Sequence, residues 1–137
     1  MDAKICGIKD FKTLQYILNH KYRPKYIGFI CNYPKSKRHV KLNNLKKLTN
    51  VNKKKTKFVG VLVKPNEKFL EKIKYFKFDY YQLYDVDPIK TKIIKKKYNK
   101  KIITALSIEN KSDVKKYKQY ISISDIILFD GKGYEKS

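Results

Sequence analysis

Short apolar runs rich in isoleucine, valine, phenylalanine and tyrosine recur along the chain at residues 4–8, 26–31, 57–63, 78–84, 101–107 and 125–130. Each is shorter than an ordinary helix and bounded by polar residues, so the pattern predicts six strands. Several are apolar at consecutive positions, as in Phe58-Val59-Gly60-Val61-Leu62-Val63 and Ile126-Ile127-Leu128-Phe129. Strands of that kind are covered on both faces, which points to a parallel sheet.

Between the strands the apolar positions take helical spacing. Asp10 is placed to cap a helix whose apolar face is Phe11, Leu14, Ile17 and Leu18, and the pattern ends before Pro24. Leu42, Leu45 and Leu48 mark a second, shorter helix. Asn66 can cap a third with Phe69, Leu70, Ile73 and Phe76 inward, and Asp87 followed by Pro88 opens a fourth with Ile89, Ile93, Ile94 and Tyr98 inward. Ser112 opens a fifth, with Val114, Tyr117 and Ile121 facing the sheet. Strict alternation of strand and helix implies right-handed parallel crossovers. Two architectures fit: an open doubly wound sheet, or part of a (βα)8 barrel, which usually takes roughly 250 residues.

Length and composition narrow the partners. A chain of 137 residues predicts a single domain over residues 1–137. The formal charge is +22, which by itself would suggest nucleic acid or an acidic surface. Arg23 and Arg38 are the only arginines, however, and lysine supplies the rest of the positive charge. Sequence-specific nucleic-acid readers lean on the planar arginine fork, whereas these lysines fall mainly between the apolar positions of the helices, as in Lys90, Lys92, Lys95, Lys96 and Lys97. They read as solvated outer faces. The run Lys53-Lys54-Lys55, in a polar connection before the third strand, is the best candidate for a basic contact.

Cys6 and Cys31 lie within apolar runs and are expected to remain reduced thiols. No stretch approaches the 18 or so apolar residues of a membrane helix, and there is no apolar signal core followed by small residues, so a cytoplasmic protein is expected. Cys6-Gly7-Ile8-Lys9-Asp10 lacks the glycine spacing of dinucleotide folds, which argues against a nicotinamide or flavin cofactor. His20 and His39 are isolated from the cysteines and from paired carboxylates, so no metal site is expected.

In parallel α/β folds the chemistry gathers at the C-terminal ends of the strands. The groups available there are Cys6 on the first strand, the loop Pro34-Lys35-Ser36-Lys37-Arg38 after the second, Gln82 and Asp85 at the fourth, and Asp130 at the sixth. Each has a plain structural explanation: Cys6 as a small buried hydrophobe, Asp130 as a turn former before Gly131, Arg38 as a surface charge, Gln82 as a polar strand end. Their combination and order carry more weight than any one of them.

Taken together, these motifs resemble the phosphoribosylanthranilate isomerase family, (βα)8 barrel enzymes of tryptophan biosynthesis. Lys4-Ile5-Cys6-Gly7-Ile8 looks like the family's first strand, and Ile27-Gly28-Phe29-Ile30 with Pro34-Lys35-Ser36-Lys37-Arg38 resembles the second strand and its loop. Val59-Gly60-Val61, Gln82-Leu83 and Leu128-Phe129-Asp130 are similar to the third, fourth and sixth. The resemblance implies an incomplete TIM barrel of about six strands and five helices, and an Amadori rearrangement of N-(5-phosphoribosyl)anthranilate that needs no cofactor. It implies Asp130 as the general acid on the furanose oxygen and Cys6 as the general base at the sugar C2. It implies Arg38 on the anthranilate carboxylate and Gln82 as a polar group lining the site. These types suit the chemistry, because a protonated carboxyl can donate to an ether oxygen and a thiolate beside positive charge can accept a carbon-bound proton.

Two departures stand out. Where the family usually continues Gln-Leu-His-Gly, this chain has Gln82-Leu83-Tyr84-Asp85. The chain also stops at Ser137, before two further strands that build the family's phosphate site. A truncated isomerase is the resulting expectation, with exposed edge strands and little activity alone. The alternative from another class is a lysine-rich nucleic-acid-binding α/β module, which would bind with a steep salt dependence.

Overall fold

The computed structural model describes residues 2–136. Strands β1 (Lys4–Cys6), β2 (Tyr26–Ile30), β3 (Lys57–Val63), β4 (Tyr80–Tyr84), β5 (Lys101–Ser107) and β6 (Ile126–Asp130) alternate with helices α1 (Phe11–Asn19), α2 (Leu42–Thr49), α3 (Glu67–Ile73), α4 (Pro88–Tyr98) and α5 (Lys111–Val114). The strands form one sheet in the order β1-β2-β3-β4-β5-β6, and every neighbouring pair is parallel.

That order separates the two architectures. A doubly wound sheet reverses its strand order and carries helices on both faces, whereas here the order never reverses. One face of the sheet packs Ile27, Phe29, Phe58, Leu62, Tyr81 and Ile102 against Leu14, Leu45, Leu70, Ile73 and Ile94 of α1 to α4. The other face carries its own layer of strand side chains, among them Val59, Val61, Tyr80, Tyr84 and Ile103. Helices outside and a side-chain layer inside are the arrangement of a (βα)8 barrel, and the six strands form an incomplete one.

Local rules explain most of the helices. Asp10, Asn66 and Asp87 accept the backbone N–H groups of Thr13, Phe69 and Lys90, each at 2.8 Å, as predicted. The ends of four strands differ from the sequence reading, those of β2 and β6 by one residue each and those of β1 and β4 by two. β1 stops at Cys6 because Gly7 turns away at φ +90° while its N–H stays on the Gly28 carbonyl, at 2.9 Å. β4 starts at Tyr80, after Phe78 has closed a tight turn onto the Phe76 carbonyl at 2.8 Å.

Three helices present different faces from those predicted, the first only at Phe11, which is 56% exposed at the start of α1. In α4 the buried positions are Thr91 and Ile94, while Ile89 and Ile93 are 75% and 58% exposed. The fifth helix is capped by Asn110, not Ser112, in a capping box with Asp113. It lasts one turn before a 3-10 segment (Lys115–Gln119), and Val114 and Ile121 stay exposed. Among the described residues β6 pairs with β5 on one side, and Phe129, the ring that meets Tyr117, is itself half exposed.

Candidate active site

Side chains on the inner face alternate along each strand, so the last inward position of each strand points to one end of the arc. Lys4 and Cys6 share that face on β1, Gln82 and Tyr84 on β4, and Leu128 and Asp130 on β6. With Tyr33, Arg38 and Tyr134 from the loops they line a cleft of about 320 Å³. The four residues singled out from sequence, Cys6, Arg38, Gln82 and Asp130, therefore share a single cavity.

Glycines make the β1 side of the cleft possible. A Cβ on Gly28 would stand 3.0 Å from the Cys6 sulfur and 3.2 Å from the Lys4 ammonium, so the bare backbone of β2 leaves the recess in which both groups sit. A Cβ on Gly7 would stand 2.5 Å from Cδ of Arg38. The arginine stem thus lies on the Gly7 backbone, and its Nη1 donates to the Cys6 carbonyl at 3.2 Å. The loop that carries Arg38 is pinned by the Ser36 hydroxyl, which accepts the Arg38 N–H at 3.2 Å, and by His39 and Val40, which bond back to the end of β2.

Across the cleft, the Asp130 carboxylate accepts the Tyr84 hydroxyl at 2.8 Å on one oxygen and the Lys132 N–H at 3.1 Å on the other. Burial first, and then the bond to Asp130, push the Tyr84 phenol well above its ordinary range. Gln82 is 2% exposed; its amide donates to the Tyr84 hydroxyl at 3.4 Å, and its carbonyl oxygen is buried without a hydrogen-bond partner.

Asp85 follows with φ +53°, a left-handed conformation that glycine adopts freely and that a short aspartate tolerates. Its carboxylate accepts the Tyr134 hydroxyl, and the Tyr134 ring packs edge-on against Tyr84 with centroids 5.3 Å apart. Sequence reasoning had assigned no role to Lys4, Tyr33, Tyr84 or Tyr134. For Lys4 the signal was present, because it shares the strand face of Cys6 two residues on.

The other candidates lie elsewhere. Cys31 is unpaired and faces the helix side, where burial pushes its thiol up. Lys53 pairs with Asp79, and the Lys54 ammonium donates to Asn19 at 3.0 Å, so two members of the basic run are engaged within the fold. Among the described residues no group of three or more His, Cys, Asp or Glu could hold a metal ion, and no helix is long and apolar enough to cross a membrane.

Residues 3–135 match the profile of the family described as N-(5'-phosphoribosyl)anthranilate (PRA) isomerase. The chain belongs to this isomerase family. The family member from Rhizobium rhizogenes is 33% identical over 133 residues, 96% of this chain and 59% of the relative. The chain thus spans less than two thirds of the length of the curated relatives it matches. Among solved structures, a phosphoribosyl anthranilate isomerase in complex with reduced 1-(o-carboxyphenylamino)-1-deoxyribulose 5-phosphate superposes with a TM-score of 0.77 at 26% identity, covering 94% of this chain and 64% of that one. The isomerase from Thermotoga maritima gives 0.78 at 24% identity, over 97% and 63% of the two chains. The incomplete barrel thus follows the isomerase scaffold.

Proposed function

We propose that this chain carries the acid–base pair of an Amadori rearrangement, converting N-(5-phosphoribosyl)anthranilate to 1-(2-carboxyphenylamino)-1-deoxyribulose 5-phosphate in cytoplasmic tryptophan biosynthesis. The observation that supports this most is the convergence of Cys6, Arg38, Gln82 and Asp130, from four separate chain segments, on one cleft at the C-terminal ends of the strands. Asp130 protonates the furanose ring oxygen, the C1–O bond breaks, and the anthranilate nitrogen takes up the positive charge as a Schiff base. Cys6 then removes the proton from C2, and the electron pair of that C–H bond neutralises the iminium to give an enol-amine. Return of a proton to C1 and loss of the enol proton yield the 2-keto sugar. Only protons move, so the scheme needs no cofactor.

The surroundings suit each role. Lys4 and Cys6 lie side by side over the bare backbone of Gly28, so the thiol and the ammonium face the cleft together. Arg38 offers its remaining N–H groups to the anthranilate carboxylate, and Gln82 lines the floor. The test is complementation of a tryptophan auxotroph lacking this step by the native gene, beside Cys6→Ala and Asp130→Ala. Growth with the native gene and none with either alanine variant is expected, and rescue by the alanine variants would overturn the assignment.

A further inference from the structure

Position 84 lies at the end of β4, where its side chain reaches 46 residues along the chain to the acid on β6. The contact is specific in three ways. The hydroxyl is a donor to one carboxylate oxygen at 2.8 Å, leaving the Lys132 N–H on the other. The Tyr84 side chain is 6% exposed, so the bond lies out of competition with bulk water. The ring is held in place by its edge-on contact with Tyr134, whose hydroxyl is in turn taken by Asp85, the residue next to Tyr84. Tyr84 at the end of β4 and Asp85 just beyond it thus hold Asp130 at the end of β6 and Tyr134 in the turn that follows.

We propose that Tyr84 is a positioning residue for Asp130: its hydroxyl aims the carboxyl into the cleft and holds the negative charge that the carboxyl acquires when it gives up its proton. The inference rests on the acid role assigned to Asp130 above. A carboxylic acid that protonates an ether oxygen is left as a carboxylate, and a hydrogen bond from a buried hydroxyl strengthens as that charge develops. The Gln82 amide completes the relay, donating to the same hydroxyl oxygen and so leaving its proton directed at Asp130. An interaction that strengthens only as the reaction proceeds affects turnover rather than substrate affinity.

The native protein and Tyr84→Phe are compared by steady-state kinetics with N-(5-phosphoribosyl)anthranilate. The phenylalanine ring keeps the contact with Tyr134 and removes the hydroxyl, which is both the donor to Asp130 and the acceptor of the Gln82 amide. A fall in kcat of about tenfold with KM within about twofold is expected, the size of effect that one hydrogen bond to a developing charge supports. Wild-type kcat, or a loss carried entirely by KM, would overturn the proposal. A second readout does not depend on turnover. In protein labelled with 13C at tyrosine Cζ, the Tyr84 hydroxyl proton is expected to be protected from solvent exchange, and Asp130→Asn should cut that protection at least about tenfold. Unchanged protection would sink the contact itself. Where the protein gives no measurable turnover, the exchange experiment alone decides whether Tyr84 holds Asp130, and unchanged protection then overturns the proposal.

Discussion

At the scale of single residues, the β1 side of the cleft is built by subtraction. Gly7 and Gly28 matter for the space they leave, since Arg38 lies on one and Cys6 and Lys4 sit over the other. Gly7→Ala places a methyl 2.5 Å from Cδ of Arg38 and forces an L side chain into φ +90°. We expect a loss of about 1–3 kcal/mol in urea unfolding and, on the proposed reaction, a raised KM; a variant with native KM would show that Arg38 does not need that backbone. That Cys6, Arg38, Gln82 and Asp130 come together in one cleft was legible from sequence, because strand ends and the loops after them converge in the fold that the resemblance implied. The partner of Asp130 was not. Tyr84 stood out only as a departure from the family pattern, and its contact depends on where two distant strands come to lie.

Among the elements, local chemistry was legible and competition between local rules was not. Asp10, Asn66 and Asp87 cap helices as their type and place suggest. Asn110 and Ser112 are both cap residues, and the choice fell to Asn110 because Asp113 can return the bond to its N–H, at 3.2 Å. In α4 the inward stripe was hidden by a polar residue: Thr91 is fully buried, its hydroxyl donating to the Val86 carbonyl at 3.3 Å, while the isoleucines one turn round face solvent. The elements also set an acid limit. Hydrogen bonds from Lys74 and Tyr98 hold Glu71 at about 2, and Lys116 with the N–H groups of Glu109 and Asn110 holds Asp113 at about 2. Both carboxyls are depressed on folding, so their stabilisation is present above the ordinary carboxylate range and is lost as the pH falls. The thermal midpoint should therefore drop between about pH 4.5 and about pH 2, and drop less in a Glu71→Gln, Asp113→Asn double variant; identical profiles would exclude these two groups as the cause.

For the molecule as a whole, charge and curvature matter most. With 34 Lys and Arg against 12 Asp and Glu, the formal charge of +22 works against compaction. Raising sodium chloride from about 0.02 to about 0.3 M shortens the screening length severalfold, and the thermal midpoint should rise by roughly 3–5 °C, about 1 kcal/mol for a chain of this size. A midpoint that falls over that range would mean the ion pairs outweigh the repulsion. Sequence left two curvatures open for the sheet, because a run apolar on both faces looks the same in an open sheet and in a barrel. Strand order and one-sided helices resolve it. The curvature is also what brings β1 and β6 to face one cleft, and there Arg38 is fastened to the strand that bears Cys6. The guanidinium is thus tied to the backbone of the residue whose thiol faces the cleft, through the Cys6 carbonyl and the bare Gly7. On the proposed reaction, an anthranilate carries its carboxylate ortho to the nitrogen, so a meta- or para-carboxyl isomer of the same size and charge is expected to give a lower kcat/KM, and equal values for the isomers would show that Arg38 does not read the carboxylate's place.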